Sequence, residues 1–192
     1  MNLKSQALGA LLAVMASGAM AQQGTIQRDV NQQQRIEQGL QSGQLTTREA
    51  AKLEREEARV ERDQARAMKD GVLTPAEKAR LNREQNRVSR DIYREKHDAQ
   101  TGDPNSASSQ RMQADVQRNI NQQRRIEQGV QSGALTTREA AKLERGQSRV
   151  ESAEARAGAD GKVGPGEQRR IQRAENRQSR HIYREKHDAQ QK

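Results

Sequence analysis

The chain has 192 residues, of which 32% are charged and 31% hydrophobic, and its formal net charge is +9. It contains no Phe, Trp or Cys and only two Tyr. A deep, dry catalytic pocket needs apolar walls that this composition scarcely supplies, and the lack of Cys excludes disulfides, thiolate metal sites and thiol nucleophiles.

In chain order the first element is a leader. Residues 1–21 read as a secretory signal peptide, with Lys4 as the positive end, an apolar run from Ala7 to Val14, and Ala19-Met20-Ala21 as the cleavage site. The expected location is a bacterial periplasm or the exterior, after cleavage behind Ala21. The apolar run is too short to span a bilayer and no second one follows, so no integral membrane segment is expected. Residues 22–100 carry 16 Lys/Arg and 14 Asp/Glu, whereas residues 101–192 carry 18 and 12. The basic balance favours anionic partners.

Residues 31–100 repeat at 121–190 with a constant offset of 90, and 47 of the 70 positions are identical. The stretch 101–110 (TGDPNSASSQ) reads as a linker between unit 1 (22–100) and unit 2 (111–192). Each unit has an inner echo. Gly43-Gln44-Leu45-Thr46 leads to Glu49, Gly71 to Thr74 leads to Glu77, and Gly133 to Thr136 leads to Glu139; Gly161 to Glu167 is a degraded fourth copy. Glycine suits a left-handed helix end, and Thr with Glu three residues later makes a capping box. Pro75 and Pro165 suit the first helical position.

These signals predict helices near 25–40, 46–68 and 74–98, repeated in unit 2. The apolar seam is thin: Ala50, Leu53, Val60 and Ala67 on the second helix, and Leu81, Val88 and Ile92 on the third, with Gln85 interrupting. The fold class is all-α. Two tandem repeats of long antiparallel helical hairpins are expected, about three helices each, elongated and with little globular core. A homodimer or an intramolecular pseudo-dimer would suit such hairpins. The acids read as members of solvated helix faces, alternating with Arg and paired locally as Arg59–Asp63, Arg80–Glu84 and Arg87–Asp91, with none buried to act as a general acid.

No catalytic residue and no cofactor are expected. Asp70, Gly71, Leu73 and Glu77 have the spacing of the second half of a calcium loop, but Arg66 and Met68 stand where ligands belong. His97 and His187 are the candidate metal ligands, set in a repeated Tyr-Arg-Glu-Lys-His-Asp block; His181 replaces Asp91. Arg173, Arg177 and Arg180 form a basic stripe in unit 2. No aromatic residues are interleaved with it for base stacking, and export weighs against nucleic acid as a physiological partner. The candidate client- or anion-binding residues are the repeated arginines Arg55, Arg59, Arg87, Arg145, Arg149 and Arg177.

LTTRE at 45–49, LTPAE at 73–77 and LTTRE at 135–139 resemble the LTxxQ motifs of the Spy/CpxP group of small exported envelope-stress proteins. Glu replaces the final Gln, and the fourth copy has Val163-Gly164 for Leu-Thr. The resemblance implies long bent helical hairpins and a periplasmic, ATP-independent chaperone that holds clients on a basic surface. The function expected is therefore an exported, non-enzymatic helical protein that binds unfolded or acidic polypeptides. The alternatives are a divalent-metal-stress protein, and a structural protein that binds anionic envelope surfaces.

Overall fold

The computed structural model describes residues 3–188, with side chains from residue 22 onward, and is built of helices. They are α1 (Leu3–Ser42), α2 (Thr47–Ala67), α3 (Pro75–Lys96), α4 (Ala107–Gln131), α5 (Thr137–Ala157) and α6 (Pro165–His187), with a short 3-10 turn at Gly158–Asp160. The side chains of the leader expected over residues 1–21 lie outside the described residues. Among the described residues no helix is long and apolar enough to cross a membrane.

Local chemistry sets the helix boundaries. Gly43, Gly71, Gly133 and Gly161 all have positive φ, from 68° to 94°, which only glycine adopts without strain. Thr46, Thr74 and Thr136 then cap α2, α3 and α5 with full capping boxes. At Thr136 the hydroxyl accepts from the Glu139 N–H at 3.3 Å, and the Glu139 carboxylate accepts from the Thr136 N–H at 2.8 Å. The degraded fourth copy keeps half of this device, a bond of 2.8 Å from the Gly164 N–H to Glu167. Replacing Thr136 by Ala is expected to cost about 1 kcal/mol and lower the thermal midpoint by about 2–4 °C, which a circular dichroism melt reads directly.

Within each unit the third helix packs on the first two. The seam read from the sequence is buried: Leu53, Val60, Leu81, Val88 and Ile92 are at most 3% exposed. The 101–110 linker is not free chain. The Gly102 N–H donates to the Gly43 carbonyl at 2.8 Å, and a Cβ on Gly102 would meet the Leu45 carbonyl oxygen at 2.4 Å.

The two units pack against each other, α2 along α5 and α1 along α4. Both pairs are antiparallel. The Arg48 guanidinium, at the start of α2, donates to the Asp160 carbonyl beyond the end of α5, and Arg138, at the start of α5, donates to the Asp70 carbonyl beyond the end of α2. These contacts exchange under the offset of 90. Arg62 and Ser152, themselves repeat-equivalent, touch at 3.4 Å and mark the axis relating the units. The apolar clusters also cross between units: Val30, Ile36 and Leu40 share one with Met112, Val116 and Ile120, and Ile26 joins Ile126 and Val130. The interior is thus larger than a thin seam implies.

Much of the added interior is polar, which corrects the reading of the acids as solvated. Glu54, Glu57, Glu61 and Gln64 follow 3-4-3 spacing on α2 and are fully buried, and Glu144, Gln147, Glu151 and Glu154 do the same on α5. Such spacing places a second stripe on each helix, and the antiparallel pairing turns the two stripes inward. Of the expected local ion pairs, Arg80–Glu84 forms at 2.9 Å. Asp63 instead takes Arg66 and Arg80, and Asp91 takes Arg94. Arg59 and Arg87 are in none of the ion pairs among the described residues.

Candidate anion-binding groove

All six arginines singled out by repetition line two equivalent grooves. Arg55, Arg59 and Arg87 lie between α2 and α3 in unit 1, and Arg145, Arg149 and Arg177 lie between α5 and α6 in unit 2. The unit 2 groove holds about 540 Å³. Lys142, Arg145 and Arg149 enter it from α5, and Arg177, Arg180 and Arg184 from α6. Each set has i, i+3, i+7 spacing, which puts three cations on one helix face. Among the described residues none of these six cations is in an ion pair. Arg173, the remaining member of the stripe, is not in the groove wall.

The two grooves differ in charge because of three substitutions. Unit 1 sets Glu56, Glu84 and Asp91 among its four cations. Glu56, packed beside Asp91, is pushed up to about 7, first by burial and then by that neighbour. At the equivalent positions unit 2 has Gly146, Ala174 and His181, so among the described residues no carboxylate lines its groove, although Glu185 lies 3.2 Å from His181 Nε2. Gln178, the counterpart of Val88, takes up the space over Gly146. A Cβ there would meet its Oε1 at 2.1 Å, and its Nε2 donates to the Leu143 carbonyl at 2.9 Å. The basic surface continues past the groove. Arg145 and Arg149 also wall a second depression with Arg62, Arg66 and Arg156, running onto α2. Chemically, the arrangement is a strip of guanidiniums, of which only Arg66 is in an ion pair among the described residues, suited to carboxylates or phosphates.

The histidine candidates are placed otherwise. His97 Nδ1 lies 2.7 Å from the Tyr93 carbonyl and its ring stacks on Tyr93 at 4.1 Å; His187 and Tyr183 repeat this. Each imidazole therefore serves the C-terminus of its helix. The carboxylates that do converge are Glu49, Glu95 and Asp98, and their equivalents Glu139, Glu185 and Asp188, each trio with oxygens within 4.8 Å of one another. Lys52 already pairs with Glu95 at 2.8 Å. Neither trio includes a histidine.

The buried polar stripe is the feature that the sequence reading missed. Asp29 accepts from Gln64 and Gln85, both at 2.8 Å. In unit 2 acid and amide are exchanged: Asn119, at the position of Asp29, donates to Glu154, at that of Gln64, at 2.6 Å and accepts from Gln147, at that of Glu57, at 2.8 Å. Burial pushes Asp29 and Glu54 up to about 7, and Asp115 up to about 8. Arg118 holds Glu175 at 3.0 Å, and that group rises only to about 6, with burial its main cause. No protein-family model matches the chain, and no match is found among curated proteins or solved structures.

Proposed function

We propose that the protein is an exported, non-enzymatic, chaperone-like protein that holds acidic stretches of unfolded polypeptides along the α5–α6 groove. The observation that carries this reading is the replacement of Glu56, Glu84 and Asp91 by Gly146, Ala174 and His181, which leaves six cations uncompensated in one groove. Each exposed charge pair contributes on the order of 1 kcal/mol in water and less as salt rises. Several such contacts give rapid capture and easy release. Val150 and Ala174 supply a small apolar floor for weak side-chain contact. The reciprocal packing of the units corresponds to a pseudo-dimer within one chain.

The test is suppression of aggregation of an acidic, unfolding client. Suppression near an equimolar ratio at low salt, lost at about 0.3 M salt, is the expected result. No suppression at either salt, with helicity intact, would overturn the reading. Binding to anionic vesicles in place of the client would transfer the same groove to an envelope surface.

A further inference from the structure

Every exposed residue of α2 and α5 is a cation. On α2 these are Arg48, Lys52, Arg55, Arg59, Arg62 and Arg66, and on α5 they are Arg138, Lys142, Arg145, Arg149 and Arg156. Alternating four- and three-residue steps keep each row on one helix face. None of the acids on the two helices is exposed: Glu56 and Asp63 are half-buried and the others are buried. α2 holds six cations and six acids and is formally neutral, so its net charge conceals how completely the two signs are separated.

Because α2 lies along α5, the rows stand side by side. Arg62 and Arg66 meet Arg145, Arg149 and Arg156 around one depression of about 410 Å³, and Ser152, the repeat equivalent of Arg62, lies in its wall. The α5–α6 groove adjoins it through Arg145 and Arg149, which line both. Arg55 and Arg59 carry the α2 row on into the α2–α3 groove.

We propose that the α2–α5 face is a docking surface for an anionic phospholipid bilayer, held by headgroup phosphates. This goes beyond client holding in the groove and does not rest on it. Three observations support it. The first is the chemistry of the rows. All but Lys52 and Lys142 are arginines, whose forked donors match phosphate oxygens in pairs. Lys52 pairs with Glu95 and Arg66 with Asp63; among the described residues the other cations of the two rows are in no ion pair. The acids beneath supply little counter-charge, since burial pushes Glu54 up to about 7 and Glu57, Glu61, Glu144, Glu151 and Glu154 well above the carboxylate range.

The second is shape. Two helices of 21 residues, each about 31 Å long and about 8–10 Å apart, spread the charge over an area and not along a line. An extended chain lying on the face meets one row; a two-dimensional array of phosphates meets both. The rows also run in opposite directions and are related by the repeat. A polypeptide or polynucleotide strand has a direction and presents itself differently to each row, whereas a fluid layer of headgroups has none.

The third is what the face lacks. The exposed large hydrophobic residues among the described ones are Val72, Tyr93 and Tyr183, none of them on α2 or α5. No side chain there can insert among acyl chains or stack on bases. Attachment is therefore by charge alone, each cation near the surface strengthening it about fivefold, and salt reverses it.

The experiment is cosedimentation of the full chain with vesicles of phosphatidylglycerol and phosphatidylcholine in equal parts, and with vesicles of phosphatidylcholine alone. Binding to the anionic vesicles only, lost at about 0.3 M salt, is the expected result. The triple variant Arg62→Gln, Arg66→Gln and Arg156→Gln, which leaves the α5–α6 groove wall intact, should weaken vesicle binding about tenfold or more. Its helicity should be unchanged, and its affinity for polyglutamate should change by less than about threefold. Three exposed cations off this face, removed together as Lys78→Gln, Arg124→Gln and Arg173→Gln, should weaken vesicle binding by less than about threefold. No binding to anionic vesicles, an equal loss from the off-face triple, an equal loss of polyglutamate from the face triple, or displacement of the vesicles by duplex DNA at matched phosphate would each overturn the proposal. Vesicle binding without client holding would sink the chaperone reading and leave this one standing, and the reverse result would do the opposite.

Discussion

The thermal midpoint of this protein falls as the pH rises from about 4.5 to 8. Burial raises the carboxyls of Asp29 and Glu54 to about 7 and Asp115 to about 8, and pushes Glu57, Glu61, Glu144, Glu151 and Glu154 well above the carboxylate range. In the unfolded chain the same groups titrate near 4. The folded chain therefore holds protons that the unfolded chain has already released. Each raised group contributes fully below pH ~4, and its contribution is lost as the pH passes through the folded value. The rise of Glu54 alone corresponds to about 3 kcal/mol. This runs opposite to the common pattern, in which acid unfolds a protein by protonating paired carboxylates. Glu144 lacks a partner at both oxygens, so Glu144→Leu should raise the midpoint at pH 7.5 by about 4–8 °C and flatten the pH profile. A midpoint that stays level, or climbs with pH, would contradict this account of the core.

Restoring the lost acids to the unit 2 groove should weaken its hold on anions. Ala174→Glu combined with His181→Asp returns two of the three carboxylates present in unit 1, at a half-buried and an exposed position. Each new carboxylate pairs with a neighbouring guanidinium and repels the ligand, at on the order of 1 kcal/mol apiece near a protein surface. The Kd for polyglutamate at low ionic strength should rise about tenfold or more. Arg55→Ala with Arg87→Ala, in the groove already balanced by Glu56, Glu84 and Asp91, should change it by less than about threefold. Fluorescence anisotropy with labelled polyglutamate reads both. Equal losses from the two grooves, or no loss from either, would show that the asymmetry does not direct binding.

Local signals in the sequence were read correctly because their chemistry is complete within a few residues. The Gly-to-Thr-to-Glu echo closes a turn, a cap and a reciprocal bond without reference to the rest of the chain, and the structure forms it at all three full copies. Leu53, Val60, Leu81, Val88 and Ile92 were legible for a related reason, since large apolar residues at helical spacing need a partner face. Glu54, Glu57 and Glu61 were not. Their 3-4-3 spacing is as regular as that of the leucines, but carboxylates default to solvent because burying them is costly. Only the matching stripe on α5 reveals where they point, and that pairing is not written in either helix alone. The groove shows the same division. Repetition marked all six arginines, whereas the missing acids lie on α5 and α6 at positions 146, 174 and 181, far apart until the helices meet. The pairing of Asp63 with Arg66 and Arg80 rather than Arg59 reflects the approach of α3, which carries Arg80.

The exchange of acid for amide between the units, with one basic groove and one balanced groove, has a consequence for how such a molecule can diverge. Two identical subunits must carry every change twice, once on each side of their axis. A carboxylate placed opposite itself repels itself, and a groove stripped of acids is stripped in duplicate. Joining the copies in one chain lifts that constraint. Asp29 can face a different network from Asn119, and Arg177 can lose its acidic neighbours while Arg87 keeps them. The covalent link thus works as a licence for symmetry breaking. Under the proposed function, capture is expected to saturate at one ligand per molecule, with neither half replaceable by a second copy of the other.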